Sequence, residues 1–147
     1  METKLAIFDF SGTLAYPKAN GQNVLEGFKL YGDAQEAFVL PVQKAILTAA
    51  SHFLLNDCNI PKNIEIFTPL ETKYLKPDPK AFLFVLEQLE VTPGEAVMIG
   101  DEVERDLIPA ISLGMKAFLI DRENKNKGVL PGGIIKINSL KELGAYL

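Results

Sequence analysis

The chain has 147 residues, 48% hydrophobic and 23% charged. That is enough apolar side chain for one domain to bury about 70% of the surface its unfolded chain exposes, which excludes disorder and a second domain. Its 15 Lys and Arg against 19 Asp and Glu leave a net charge of −4, so no broad basic surface is available to neutralise a nucleic-acid backbone.

Residues 1–4 are polar and the apolar run 5–8 is too short for a secretion signal; no stretch of about 18 apolar residues is present to span a membrane. Short apolar runs alternate with stretches of helical period from there on. The pattern predicts an α/β three-layer sandwich around a mostly parallel, Rossmann-like sheet. Strands are expected at 5–8, 45–47, 64–67, 96–99, 117–120 and 134–137, each short and apolar enough to be buried on both faces. Residues 15–32 carry Pro17, Gly21, Gly27 and Gly32 with little periodicity and read as an irregular flap or rudimentary cap within a single domain of 1–147. Asp33 with Glu36 has the spacing of a capping box, and Pro41 and Pro61 end the helices before them. His52 and Cys58, the only residues of their kinds, read as packing residues; they make no intrachain disulfide or zinc site and fit a reducing, cytoplasmic setting. Asp78-Pro79 opens a helix whose apolar stripe is Phe82, Val85, Leu86 and Leu89. A further helix is expected from Val103 to Leu113, bent by Pro109 and stopped by Gly114. Residues 121–128 form a polar connection, 131–133 a turn, and Ser139 with Glu142 a second capping box.

In open parallel sheets ligands bind beyond the carboxyl ends of the strands. Asp9, Thr48 and Asp101 each directly follow an apolar run, and Lys76 lies in the connection after 64–67. If those strands are neighbours, two carboxylates, a hydroxyl and an ammonium converge on one rim. Such a set suits phosphoryl transfer: a carboxylate attacks phosphorus, a hard divalent cation such as Mg²⁺ bridges protein and phosphate oxygens, and fixed positive charge stabilises the transferring group. Each residue also has a plainer role: Asp9 in a turn with Gly12, Thr48 as a cap hydroxyl, Lys76 as a surface lysine like Lys73, Asp101 as a helix cap and Asp106 on an exposed helix face.

Together these residues carry a resemblance. Asp9-Phe10-Ser11-Gly12-Thr13-Leu14 is similar to the nucleophile motif D-x-D-G-T-L of the haloacid dehalogenase-like (HAD) superfamily. Thr48 resembles that family's second motif, Lys76 with Pro77-Asp78-Pro79 the third, and Gly100-Asp101 followed by Asp106 the fourth, all in the family's order. The likeness spans about residues 5–143. It implies that Asp9 is the nucleophile and a Mg²⁺ ligand, with Asp101 and the Ser11 carbonyl as further ligands. Asp106 joins the metal site by orienting it, Glu102 is a further participant, and Thr48 and Lys76 hold and neutralise the phosphate. The main chain near Phe10, Ser11 and Ala49, together with Gly12 and Thr13, lines the phosphate pocket.

Two departures shape the expectation. Most phosphatases of this family have a second Asp where Ser11 stands, to protonate the leaving group and activate water, and a serine hydroxyl does neither well near neutral pH. The 33 residues between the first motif and Thr48 leave little for a cap once a helix and a strand are drawn from them. The resemblance therefore implies a minimal-cap, Mg²⁺-dependent phosphatase acting on a phosphorylated small molecule or a phosphoprotein, with a homo-oligomer as one way to cover the site. A catalytically weak relative that binds a phospho-ligand is the alternative. A phospho-accepting signalling receiver combines the same residue types, but with its phosphorylated Asp mid-chain and its Lys last, whereas here Asp9 comes first and Asp101 follows Lys76.

Overall fold

The computed structural model describes residues 2–18 and 27–147. In chain order it contains β1 (Leu5–Phe8), β2 (Ala15–Pro17), β3 (Phe28–Leu30), α1 (Ala34–Phe38), β4 (Gln43–Leu47), α2 (His52–Leu55), β5 (Glu65–Phe67), α3 (Pro69–Thr72), α4 (Pro79–Gln88) and β6 (Ala96–Gly100). A π-turn (Val103–Leu107), α5 (Ile108–Ser112), β7 (Lys116–Ile120), β8 (Ile134–Ile137) and a closing 3-10 helix (Leu140–Ala145) follow. Six strands form one sheet in the order β5-β4-β1-β6-β7-β8, and each of its ladders is parallel. The chain winds outward from β1 through β4 to β5, then returns to the other side of β1 for β6, β7 and β8. The winding reverses at β1, which is where an open parallel sheet leaves a crevice at its carboxyl edge.

Alternate strand residues point to opposite faces, and both faces are covered. Ala6, Phe8, Ile46, Val97, Ile99, Phe118 and Ile120 pack with α1 and the closing 3-10 helix. Leu5, Ile7, Ala45, Leu47, Met98, Ala117 and Leu119 pack with α4 and α5. This double burial is why the strands read as continuous apolar runs. On α4, Phe82, Val85 and Leu86 are buried, each worth roughly 1.5–3 kcal/mol relative to exposure. No helix among the described residues is long and apolar enough to cross a membrane.

Local details differ from expectation in four places. The flap stretch 15–32 begins and ends in a two-stranded antiparallel hairpin, β2 with β3; three-residue strands are too short to show a period, and residues 19–26 of that stretch lie outside the described residues. Asp33 makes no capping bond to α1, because its carboxylate is taken by Arg122, Ser139 and Leu140. The helix expected from Val103 is a π-turn followed by α5, with Pro109 in the first turn of α5. Proline has no amide to bond the carbonyl of Arg105 four residues earlier, so the ladder widens ahead of it rather than bending around it. His52, read as a packing residue, instead pairs with Glu71 at 2.9 Å. The Ser139–Glu142 capping box is present, and Thr68–Glu71 and Thr92–Glu95 form two more. Gly114, at φ 96°, ends the helical stretch.

Candidate active site

Register brings the rim residues together. Phe8 is level with Ile46 on one side and Ile99 on the other, so Asp9, Thr48 and Asp101 leave three adjacent strands at the same edge. The Asp9 amide still donates to the Ile99 carbonyl at 2.9 Å, holding the start of the loop to the sheet. Lys76 arrives from the β5–α4 connection, which is stiffened at both ends. The Thr68–Glu71 box starts α3, Lys73 ends it in a left-handed conformation, and Asp78 caps α4 by accepting from the Lys80 amide.

The Lys76 ammonium donates to Asp9 Oδ1 at 2.7 Å, to Asp106 Oδ1 at 2.8 Å and to the Leu47 carbonyl at 3.0 Å. All three of its protons are in use, and its side chain is 3% exposed. Asp106, 2% exposed at the side chain, also accepts from the Glu102 amide through Oδ2 at 3.2 Å. Its two oxygens are thus engaged by Lys76 and the main chain, while Asp101 Oδ1 is buried without a partner. Two glycines make room. Gly12, at φ 84°, lies so close to Asp101 that a Cβ there would collide with the carboxylate, and a Cβ on Gly100 would sit 2.5 Å from Asp106 Oδ2.

The electrostatics are unbalanced. Asp9, Asp101 and Asp106 each offer an oxygen within 4.8 Å of the others, against one ammonium. Burial, then the Asp9 carboxylate, pushes Asp101 well above the usual carboxylate range. Burial and Asp9 also raise Asp106, with Lys76 opposing them. Burial alone would lower Lys76, but Asp9 and Asp106 hold it above its ordinary value. An orphaned buried carboxylate oxygen beside two other carboxylates is an all-oxygen, anionic donor set, and it fits a hard divalent cation such as Mg²⁺.

A cavity of about 190 Å³ opens over this cluster, lined by Asp9, Ser11, Thr48, Ala49, Ala50, Lys76, Asp101, Glu102, Arg105 and Asp106. Thr48 is buried and its Oγ accepts from the Ala50 amide at 3.0 Å, leaving its hydroxyl proton free to donate. Ser11 is exposed at the mouth. Of the other residues expected around the phosphate, Phe10 turns its ring into the core against Phe28. Thr13 is fully buried and its carbonyl accepts from Arg122. Gly12 lines a neighbouring cavity of about 140 Å³ on the far side of Asp101. Sequence reading missed Arg105, whose only signal is its place one residue before Asp106.

Residues 74–138 match the family model described as HAD-hydrolase-like. The chain is 44% identical over 45 residues to the phospholysine phosphohistidine inorganic pyrophosphate phosphatase of Xenopus laevis, covering 31% of this chain and 17% of that one. It is 34% identical over 85 residues to the haloacid dehalogenase-like hydrolase domain-containing protein 3 of Danio rerio, covering 56% and 34%. The matched stretches thus span about a third or less of these relatives. The fold is similar to that of a HAD phosphatase from Thermococcus onnurineus, with TM-score 0.76, 20% identity and coverage of 98% and 97% of the two chains. Dehalogenases share it as well. With the family model on residues 74–138 and the rim residues in the same order on the same fold, the chain is similar to the haloacid dehalogenase-like hydrolases.

Proposed function

We propose that the chain is a Mg²⁺-dependent phosphatase working through an aspartyl-phosphate on Asp9, in a reducing, cytoplasmic setting that its lone Cys58 suits. The observation that carries the reading is Lys76, buried between Asp9 and Asp106 at 2.7 and 2.8 Å. It orients the nucleophile and brings fixed positive charge to the phosphoryl oxygens. The Asp9 carboxylate attacks phosphorus while the leaving oxygen departs with the bonding pair and takes a proton from solvent; water then attacks the same phosphorus, loses a proton and releases Asp9 with inorganic phosphate. The Thr48 hydroxyl and the amides near Ala49 hold the phosphoryl oxygens. Asp9, Asp101 and the Ser11 carbonyl would hold the cation, with Asp106 fixing Lys76 beside them. Bound Mg²⁺ supplies positive charge that offsets the carboxylate cluster and the incoming phosphate.

Ser11 leaves the proton transfers without a carboxylate partner, so substrates with good leaving groups are favoured and hydrolysis of the phosphoenzyme is slow. That residue also favours a second reading, a phospho-ligand binding module with little turnover. The substrate is a phosphorylated small molecule or a phosphoprotein, admitted by a site without a large cap. Dehalogenases with this fold also dispense with the second Asp, but the Lys76–Asp106 pair beside a cation-fitting carboxylate cluster favours phosphate.

The test is phosphate released from acetyl phosphate with Mg²⁺, with intact mass of the acid-quenched protein and Asp9→Asn as control. Many turnovers, lost in Asp9→Asn, support the phosphatase. At most one equivalent with a retained adduct supports a stalled phosphoenzyme. Neither product nor adduct leaves the binding module.

A further inference from the structure

Lys76 has no proton left to offer a second group, since Asp9, Asp106 and the Leu47 carbonyl take all three. Arg105 is the other cation lining the cavity. It is exposed, and it makes no hydrogen bond or ion pair among the described residues, although Glu102 lines the same cavity. Its position follows from the backbone. The π-turn ahead of Pro109 carries Asp106 inward to Lys76, and the preceding residue, about a quarter turn away, is left at the cavity mouth. A guanidinium cannot lose its charge, and its planar fork of donors matches a carboxylate or phosphate with two parallel hydrogen bonds.

Resting on the phosphoryl-site reading, we infer that Arg105 forms a second anion subsite. Preferred ligands then carry, besides the phosphoryl group, a carboxylate or second phosphate on the leaving-group side. The cavity reaches from Asp9 to Arg105, so one ligand can engage both ends. Carboxylate and phosphate offer the same pair of oxyanions, and the choice between them is read by experiment.

Non-hydrolysable phosphonates separate binding from turnover. Dissociation constants are measured by calorimetry, with Mg²⁺ in excess, for methylphosphonate, phosphonoacetate and methylenediphosphonate. The expected result is at least tenfold tighter binding of one or both two-anion ligands than of methylphosphonate, the favoured ligand identifying the second group. Arg105→Ala abolishes that preference, Arg105→Lys keeps part of it, and Lys141→Ala, the same charge loss at an exposed position on the closing 3-10 helix, keeps all of it. A protein that binds methylphosphonate without preference, or whose preference survives Arg105→Ala, retains the phosphoryl pocket and loses the second subsite. A protein that binds none of the three loses both readings.

Discussion

Two clusters of buried charge lie on either side of Asp101, and their chemistry differs. In the first, Asp9 and Asp106 share the one ammonium, Asp101 beside them has an oxygen with no partner, and the carboxylates Asp101 and Asp106 are pushed up. In the second, Asp33 accepts from Arg122 at 2.9 and 3.0 Å, from Ser139 at 2.9 Å and from the Leu140 amide at 2.9 Å. Arg122 also lies 3.7 Å over the Tyr31 ring and donates to the Thr13 carbonyl. Although burial works against it, these bonds hold Asp33 below its ordinary value. The second cluster joins the start of α1, the loop after β7 and the closing 3-10 helix; each Asp33 oxygen is satisfied, and the one atom of the ion pair left without a partner is Arg122 Nε. A buried carboxylate with its partners in place is structural; one left short of partners, among other carboxylates, is poised for a cation the chain does not contain.

That contrast can be broken at several points. The largest effect is expected at the mouth of the first cluster. Ser11→Asp restores a carboxylate that can protonate a leaving group and activate water, and it should raise steady-state phosphate release by about 10²- to 10⁴-fold; unchanged turnover would show that Ser11 is not the limit. In the second cluster, Arg122→Ala strips Asp33 of its guanidinium and should cost roughly 3 kcal/mol in urea unfolding, a fall of roughly 6–12 °C in melting temperature. A loss below 0.5 kcal/mol, on the order of an exposed pair, would place the hub among ordinary surface contacts.

Mg²⁺ should act only on the first cluster. At a hundredfold excess over its dissociation constant it should stabilise the wild type by about 2.7 kcal/mol. Asp101→Asn should abolish that gain while changing the metal-free protein little near neutral pH, where burial and the Asp9 carboxylate already favour the neutral form of Asp101. A metal-free Asp101→Asn protein less stable than wild type would make this cluster structural after all.

The smallest effect is in pH. Because Asp33 is held below the ordinary 3.8, the unfolded chain binds its proton first as pH falls. Its contribution is therefore full above about pH 4 and lost as pH drops through the lower folded value. The urea midpoint should fall with a shallower acid-side slope in Arg122→Ala than in wild type.

Much of this protein is written locally. Six apolar runs located six strands to within about two residues, because strands buried on both faces have no solvent side to interrupt them. Asp78-Pro79, Ser139–Glu142 and Gly114 mark element ends for reasons confined to a few neighbouring residues. Asp9, Thr48, Lys76 and Asp101 were legible as rim residues because each follows a strand or lies in the connection after one.

What needed tertiary structure are the relations between distant residues. Only the strand order puts Asp9 and Asp101 side by side, since periodicity does not say which parallel strands are neighbours. Asp33 has the spacing of a cap, yet its carboxylate goes to a guanidinium 89 residues away, because a charged, bidentate partner outcompetes a single amide. The π-turn that leaves Arg105 at the cavity mouth depends on Pro109 meeting a helix anchored at Asp106, a conflict that local spacing read as a bend. Sequence by itself determined the six strands of the main sheet and the starts of α4 and of the closing 3-10 helix. The three-dimensional meeting of those segments decided which charges are satisfied and which are left free for a ligand, because hydrogen bonds and ion pairs depend on distance in space and not on distance along the chain.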